Sequence, residues 1–225
     1  MEEETLDREL AERVDRYIEE LFVPAEPAFD LALSEARAAG LPAIQVSANE
    51  GKLLYLIAKM VRAERALEIG TLGGFSTTRL ARALPASGKV VTLEIDARHA
   101  EVARRNLDRA GVGGRVDIRV GPAVESLGRM IAERETPFDV VFIDADKEGY
   151  SEYLDLSLRL THPGSVILAD NLIRGGRVLQ ANPSEPNAVA AKRFNAAIAR
   201  HPRLESIVLP IIRENLDGLS ISIVR

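Results

Sequence analysis

The distribution of apolar and polar residues changes character near Ala66. From there on, short apolar runs alternate with stretches of helical periodicity. The apolar runs are RALEIG, KVVTLEID, RVDIRVG, FDVVFID and SVILAD, and the helical stretches are residues 76–84, 98–110, 124–134, 150–160 and 188–200. Such alternation is typical of βαβ units that build a parallel sheet. Runs such as the one from Val140 to Ile143 are apolar at consecutive positions, which indicates strands covered on both faces.

The two ends of the chain depart from this alternation. Residues 204–212 and 219–224 are β-rich and predict a closing hairpin, with at least one antiparallel strand and a turn at Asn215, Asp217 and Gly218. The segment before Ala66 is mainly helical, and its first helix carries a single apolar stripe: Leu6, Leu10, Val14, Tyr17 and Leu21. Such a stripe most often packs on its own domain, while roles in dimerisation or in covering an active site stay open.

Composition limits the class of protein. A chain of 225 residues with 46% hydrophobic residues predicts one domain, residues 1–225. The change of pattern along the chain divides this domain into an N-terminal helical cap over 1–60 and a Rossmann-like core over 61–225. The net charge of -5 argues against binding to nucleic acid through a broad positive field and favours a small-molecule substrate. The sequence has no cysteine, no secretory signal and no run long enough to span a bilayer, so we expect a cytoplasmic protein that binds no membrane.

Oxygen-bearing side chains follow two of the apolar runs directly. Asp144 ends FDVVFID, Asp170 and Asn171 follow SVILA, and Lys147 lies close to the first of them. Neighbouring parallel strands deliver their carboxyl ends to one crevice, so these three oxygen ligands are expected to converge. Taken singly, Asp144 could instead be a helix N-cap, and Asp170 with Asn171 a simple turn.

An oxygen-only ligand set selects a hard cation, with Mg²⁺ first and Ca²⁺ or Mn²⁺ next. The three histidines lie elsewhere in the sequence: His99 begins a helix, and His162 and His201 precede prolines in contexts that indicate solvated loops. An octahedral ion with three protein ligands keeps about three positions open, enough for two adjacent substrate oxygens. This arrangement indicates a vicinal diol as substrate.

A glycine-rich turn follows the first strand in ALEIGTLGGFS. Its spacing is G-x-x-G-G, which differs from the G-x-G-x-x-G of dinucleotide binders, and Glu68 within it would repel a phosphate. Glu94 ends the next strand, where an acidic side chain can accept the ribose hydroxyls of an adenosine. Ribose without pyrophosphate indicates S-adenosylmethionine.

These motifs together resemble the cation-dependent O-methyltransferases that include the caffeoyl-CoA and catechol enzymes. The resemblance runs over nearly all of the chain from about Ala43, and FIDADK with ADN is its most specific part. It implies a class I methyltransferase fold: a doubly wound, mostly parallel seven-stranded α/β sheet with an antiparallel C-terminal strand. It also implies a homodimer.

The resemblance further implies roles for individual residues. Asp144, Asp170 and Asn171 are expected to bind the metal, and Lys147 to accept the hydroxyl proton, with Asp144 near the methyl-donor end of the cofactor. The expected cofactor contacts are Val46, Glu68, Gly70, Ser76, Glu94, Ala123 and Asp144.

Three other functions stay open on the sequence alone. One is methylation of a hydroxylated nucleobase in tRNA, for which Arg174, Arg177, Lys192, Arg193 and Arg200 could form a local basic face. The others are an NAD-dependent dehydrogenase, disfavoured by the glycine spacing, and a non-catalytic adenosine-binding module. Residues 174–187, which are irregular and follow the proposed ligands, are a candidate substrate-recognition loop.

Overall fold

A seven-stranded sheet forms the centre of the molecule. The computed structural model describes residues 8–212 and 216–225. The strands are β1 (Arg65–Ile69), β2 (Lys89–Glu94), β3 (Val116–Val120), β4 (Phe138–Ile143), β5 (Thr161–Ala169), β6 (Leu204–Ile212) and β7 (Leu216–Val224). Their order across the sheet is β3-β2-β1-β4-β5-β7-β6. The first five pair in parallel, and β7 runs antiparallel to both of its neighbours.

Helices precede the sheet and connect its strands. The N-terminal helices are α1 (Arg8–Phe22), α2 (Pro27–Ala38) and α3 (Ala48–Met60). The connecting helices are α4 (Phe75–Ala83), α5 (Ala97–Arg109), α6 (Ala123–Ala132), α7 (Tyr150–Ser157) and α8 (Pro186–Arg200). No helix among the described residues is long and apolar enough to cross a membrane.

Both faces of the sheet are covered by apolar side chains. In β4, Val140 and Phe142 join a buried cluster that includes residues of α3, α4 and α5. Val141 and Ile143 point to the opposite face and join a second cluster, with residues of α6, α7 and α8. Because successive strand residues alternate between faces, a strand buried on both sides is apolar at most of its positions. The consecutive apolar runs of the sequence have this cause, and the predicted doubly wound sheet is confirmed.

The closing hairpin is confirmed, but one detail of its prediction was wrong. Asp217 and Gly218 were expected in the turn, whereas both lie within β7, paired with Ile211 and Pro210. The Asp-Gly pair resembles a turn signal, yet here the carboxylate of Asp217 accepts backbone N–H groups from residues 173 and 174, far back in the chain. Asn215, the other expected turn residue, lies outside the described part of the chain.

The apolar stripe of the first helix does not pack on its own domain as expected. Leu10, Val14, Tyr17 and Leu21 are between 48% and 64% exposed, and Leu6 lies outside the described residues. The side of α1 that is buried includes Ala11, and a groove of about 580 Å³ separates α1 from α3 and β6. The helix therefore leaves most of its apolar surface uncovered within the monomer.

Helix α2 is fixed to the core by an ion pair and by aromatic contacts. Glu26, just before α2, accepts hydrogen bonds from Arg79 at 3.1 Å and from Arg82. The Arg79 guanidinium lies 3.8 Å from the ring centroid of Phe29, whose ring is 4.9 Å from that of Phe75. These contacts join the N-terminal helices to α4, the helix that follows the glycine-rich turn.

Candidate active site

The carboxyl ends of β1, β4 and β5 meet at the centre of the sheet. Ile69 pairs with Ile143, and Ile143 pairs with Ala169. The hydrogen-bond ladder continues one residue further, because the Asp144 N–H donates to the Ile69 carbonyl at 2.9 Å and the Asp170 N–H to the Ile143 carbonyl at 3.1 Å. Asp144 and Asp170 are therefore neighbours across the ends of β4 and β5. They lie next to the β1–β4 boundary, where the strand order reverses and α/β sheets open a crevice.

Asp170 carries a strongly perturbed carboxyl group. Its side chain is almost fully buried, and its pKa is raised to about 7, first by burial and then by repulsion from Asp144. Lys147 and the Asn171 backbone N–H act in the opposite direction, and Asp217 adds further repulsion. When Asp170 is ionised, two carboxylates and one ammonium leave a net negative charge, which an added cation would compensate.

No group of three or more His, Cys, Asp or Glu side chains able to hold a metal ion occurs in residues 8–212 and 216–225. The expected set has only two carboxylates, and its third member is the amide of Asn171. Asn171 follows Asp170 with a left-handed backbone, φ 60°, a conformation that asparagine tolerates better than most residues. The metal assignment of Asp144, Asp170 and Asn171 stays a prediction.

Lys147 is buried beside Asp144, in a short 3-10 turn between β4 and α7. Its Nζ lies 3.2 Å from Asp144 Oδ1, 3.1 Å from the Ala145 carbonyl and 2.5 Å from the Tyr150 hydroxyl. An ammonium group has three protons, so each has an acceptor supplied by the protein. The alternative of a solvated surface lysine is excluded by this burial.

Gly70 allows the ends of β1 and β4 to approach closely. Its φ is 98°, and a Cβ placed there would lie 2.0 Å from the carbonyl oxygen of Asp144. A side chain at residue 70 would therefore displace the backbone of Asp144. Gly70 was predicted as a cofactor contact, and the close approach of the Asp144 backbone is a second reason for a glycine at this position.

Glu68 is fully enclosed behind the glycine-rich turn. Its Oε2 accepts hydrogen bonds from Thr77 at 2.5 Å and Thr92 at 2.7 Å, and burial raises its pKa to about 7 against the opposing effect of these hydroxyls and that of Ser76. The other carboxylate oxygen, Oε1, is buried without a hydrogen-bond partner of ordinary geometry, even though the nearby Ser76 hydroxyl lowers the pKa of Glu68. Glu68 thus joins β2 and α4 through Thr92 and Thr77. Its contact with a cofactor stays a prediction.

Glu94 ends β2 and holds the glycine-rich turn. Its Oε2 accepts from the backbone N–H groups of Thr71 at 3.1 Å and Leu72 at 2.8 Å, and its Oε1 accepts from Asp96 N–H at 3.0 Å. These three N–H groups use three of the roughly four acceptor positions of the carboxylate, and His99 Nδ1 lies 3.5 Å from Oε1. The predicted ribose contact remains compatible with this arrangement.

The other expected cofactor contacts lie at the same edge of the sheet. Ser76 is in the first turn of α4, Ala123 begins α6 just after β3, and Val46 directly precedes the N-cap Ser47 of α3. Ser76 and Ala123 thus follow the carboxyl ends of β1 and β3, and Val46 belongs to the same buried cluster as Phe75 of α4. Their roles stay predictions.

Asp217 is a residue whose position was missed. Its Oδ1 accepts from the backbone N–H groups of Ile173 at 3.0 Å, Arg174 at 3.1 Å and Gly218 at 2.9 Å. It therefore anchors the chain immediately after Asn171. In the sequence, Asp217 is marked only by its place in DGL at residues 217–219, and residues 173 and 174 lie more than forty positions earlier.

One expectation about a charged surface group needs correction, and three of the five residues that could form a basic face are engaged within the chain. His162 was expected in a solvated loop, but it lies in β5, and its Nε2 is 2.9 Å from Asp139 Oδ1. The expected basic face is largely engaged within the chain: Arg174 and Arg177 pair with Glu185, and Lys192 Nζ donates to backbone carbonyls of residues 180 and 181. No observation here favours nucleic-acid binding.

The strand order, the crevice and the glycine-rich turn define a class I methyltransferase fold. The sequence model of the O-methyltransferase family matches residues 28–222, so the chain belongs to this family of enzymes. It is similar to the catechol O-methyltransferase of Niastella koreensis, with 43% identity over 98% of this chain and 100% of that one. The catechol O-methyltransferase of Mycobacterium tuberculosis is 46% identical, over 94% of this chain and 95% of its own.

The same likeness holds in three dimensions. The structure of an O-methyltransferase from Bacillus cereus in complex with S-adenosylhomocysteine superposes with a TM-score of 0.93. The two chains are 39% identical over 96% of this chain and 99% of that one. The dehydrogenase and the non-catalytic module are therefore excluded as descriptions of this protein.

Replacing Gly70 by alanine tests the close approach of β1 and β4. We expect Gly70→Ala to lower the free energy of unfolding by clearly more than the ~1–2 kcal/mol of a left-handed alanine, because the Cβ also meets Asp144. Gly111→Ala is the matched control, since its φ is 73° and nothing lies within 4 Å of its Cβ. Equal losses for the two variants in urea denaturation would contradict the contact.

Replacing Glu68 by glutamine tests the buried carboxyl group. Its pKa is about 7 in the folded protein and ordinarily 4.5, so the folded state binds the extra proton and stability falls as pH rises through this range. Glu68→Gln removes that penalty, of the order of 3 kcal/mol above pH 7. The variant should therefore gain stability over wild type between pH 5 and pH 8 in urea titrations without ligand. Glu64→Gln, at an exposed position, should show no such gain.

Proposed function

We propose that this protein transfers the methyl group of S-adenosylmethionine to one hydroxyl of a catechol-like vicinal diol. A divalent cation, Mg²⁺ or else Ca²⁺ or Mn²⁺, would be held by Asp144, Asp170 and Asn171. The observation that carries the proposal is the meeting of two carboxylates at adjacent strand ends, with a buried lysine 3.2 Å from one of them. Two similar proteins are named catechol O-methyltransferases, and a third was solved with S-adenosylhomocysteine.

The residues at the strand ends fit a hard cation. Their donors are carboxylate and amide oxygens, without sulfur or imidazole, which is the chemistry that Mg²⁺, Ca²⁺ and Mn²⁺ prefer. Asp170 is buried in a region of excess negative charge, so a cation would lower the cost of ionising it. When bound, the cation would supply positive charge that stabilises an oxygen anion.

The opposite side of the crevice fits an adenosine that carries no phosphate. Glu94, which holds the glycine-rich turn, is proposed to accept a ribose hydroxyl, and residues 70–74 of that turn include no Lys or Arg that could bind a phosphate. The buried carboxyl of Glu68 lies directly behind this turn, where it would disfavour a pyrophosphate. Val46, Gly70, Ser76, Ala123 and Asp144 are the further residues proposed to contact S-adenosylmethionine.

Lys147 is proposed to take the hydroxyl proton. A free phenol ionises near pH 10, so at neutral pH the acceptor needs help to become a nucleophile. A neutral lysine has only two N–H groups for the three acceptors around Nζ, so its full set of hydrogen bonds forms only after it takes a proton. The three acceptors around Nζ would each receive one N–H of the ammonium group that this step produces.

The strand ends also serve to orient the acceptor. With Asp144 and Asp170 fixed by the β4–β5 ladder, two adjacent oxygens bound beside them would be presented in one orientation. Holding two reactants at contact distance supplies a large part of the rate in such reactions. The partner of this site is therefore proposed to be a small aromatic diol.

We further propose that the protein forms a homodimer. Tyr17, Leu21 and Phe22 of α1 are each more than half exposed, which is unusual for large apolar side chains on one helix. A second copy that covers this face would remove it from water.

Removal of the cation should abolish turnover. With EDTA, methyl transfer to catechol should fall by roughly 100-fold or more, because a metal ion supplies several kcal/mol to such steps. Binding of S-adenosylmethionine, measured by calorimetry, should change little, and added Mg²⁺ should restore activity. A monophenol of similar size is the control acceptor and should be a poor substrate throughout. Full activity in EDTA would remove the cation from the proposal.

Removal of the lysine amine should affect the chemical step. Lys147→Met keeps the length of the side chain, and we expect kcat to fall by about 10²–10⁴, the usual range for a general base. Lys59→Met, on the exposed surface of α3, is the control and should keep wild-type turnover. Unchanged kcat in Lys147→Met across neutral pH would exclude the proton-acceptor role.

A further inference from the structure

Tyr150 is a buried side chain that neither the sequence motifs nor the proposed reaction assigns to a role. It is the first residue of α7, and only 1% of it is exposed. Its hydroxyl group lies among Lys147 and the carboxyl ends of β4 and β5. A buried hydroxyl with several polar neighbours fixes their relative positions, because each broken contact leaves an unpaired polar group.

The hydroxyl group joins the strand ends directly. It accepts a hydrogen bond from Lys147 Nζ at 2.5 Å and shares its own proton between the carbonyls of Ile143 at 3.2 Å and Asp170 at 3.1 Å. Ile143 is the last residue of β4 and Asp170 directly follows β5. The single oxygen atom of Tyr150 thus connects Lys147 by hydrogen bonds to the ends of both strands that carry the proposed ligands.

The ring of Tyr150 is itself held firmly. It packs edge-on against Phe194 of α8, with centroids 5.3 Å apart and an interplanar angle of 75°. Lys147 Nζ also lies 4.5 Å from the centre of the Tyr150 ring. The ring position is therefore set by the core, and the lysine takes its position from the ring and the hydroxyl together.

A lysine side chain has four rotatable bonds and loses much freedom when it is held in one place. Of the three acceptors around Nζ, Asp144 is a proposed cation ligand and Ala145 offers only its backbone. We propose that Tyr150 is the positioning residue of Lys147, holding Nζ at the acceptor site through its hydroxyl group. This inference rests on the proposed function, in which Lys147 takes the proton.

Replacing Tyr150 by phenylalanine tests the inference, because it removes the hydroxyl and keeps the ring against Phe194. We expect kcat for a catechol to fall by about 10–100-fold, as misplacement of a reacting group by about 1 Å does. KM for the catechol and for S-adenosylmethionine should stay within about twofold, since Tyr150 is assigned no contact with either of them. This division between kcat and KM would not arise from a general loss of structure.

Tyr153→Phe is the matched control on the same helix. Its hydroxyl donates to Asp146 at 2.5 Å and touches neither Lys147 nor the strand ends, so kcat should stay close to wild type. Equal losses of kcat in the two variants, or wild-type kcat in Tyr150→Phe, would overturn the inference.

A crystal structure of Tyr150→Phe provides a readout that does not depend on methyl transfer. We expect Lys147 Nζ to leave its position 3.2 Å from Asp144 Oδ1, and an unmoved Nζ would overturn the inference. If wild type methylates no diol, the proposed function fails by itself, and the position of Nζ still decides whether Tyr150 holds the lysine.

Discussion

The parallel register of β1, β4 and β5 is the constraint on which the site depends. Ile69, Ile143 and Ala169 are aligned across the three strands. The residue that follows each of them therefore lies next to its counterparts at the strand ends. Gly70 leaves room for the backbone of Asp144, and Asp144 and Asp170 then share one crevice. A slip of register in β4 would separate the carboxylates and would also exchange the two apolar faces of the strand. The packing of the core and the geometry of the site are thus specified together.

The same arrangement stores unfavourable electrostatic energy in the middle of the fold. Asp170 and Glu68 are both buried with pKa values of about 7, and each is repelled by Asp144. Burying ionisable groups in this way opposes folding, and the two apolar clusters on either side of the sheet must offset it. Such perturbed groups concentrate at functional sites, where a bound cation or ligand can relieve the repulsion. The free energy gained by burying the apolar core thus allows the fold to hold these buried carboxyl groups, which would otherwise destabilise it.

The sequence predicted the features that follow from local patterns of residues. It did not predict those that depend on contacts between residues far apart in the chain. Apolar runs and strand ends are local, so the doubly wound sheet and the meeting of Asp144 with Asp170 could be predicted. The role of Asp217 could not, because its partners at residues 173 and 174 are brought to it only by the pairing of β5 with β7. The exposure of α1 was also missed, since an amphipathic pattern shows that an apolar face exists without showing what covers it.

Contacts of Asp217 and Glu185 hold the segment that follows the proposed ligands, residues 172–185. Asp217 holds the backbone directly after Asn171, and Glu185 binds the side chains of Arg174 and Arg177 just before α8 begins. The start of the segment that follows the proposed ligands is therefore tied to β7, and its far end is paired back onto its own start. Residues between these anchors carry no part of the β4–β5 ladder, so their sequence can change without moving Asp144 or Asp170. A fold of this kind can keep one methyl-transfer chemistry while the surface that meets the acceptor differs from protein to protein.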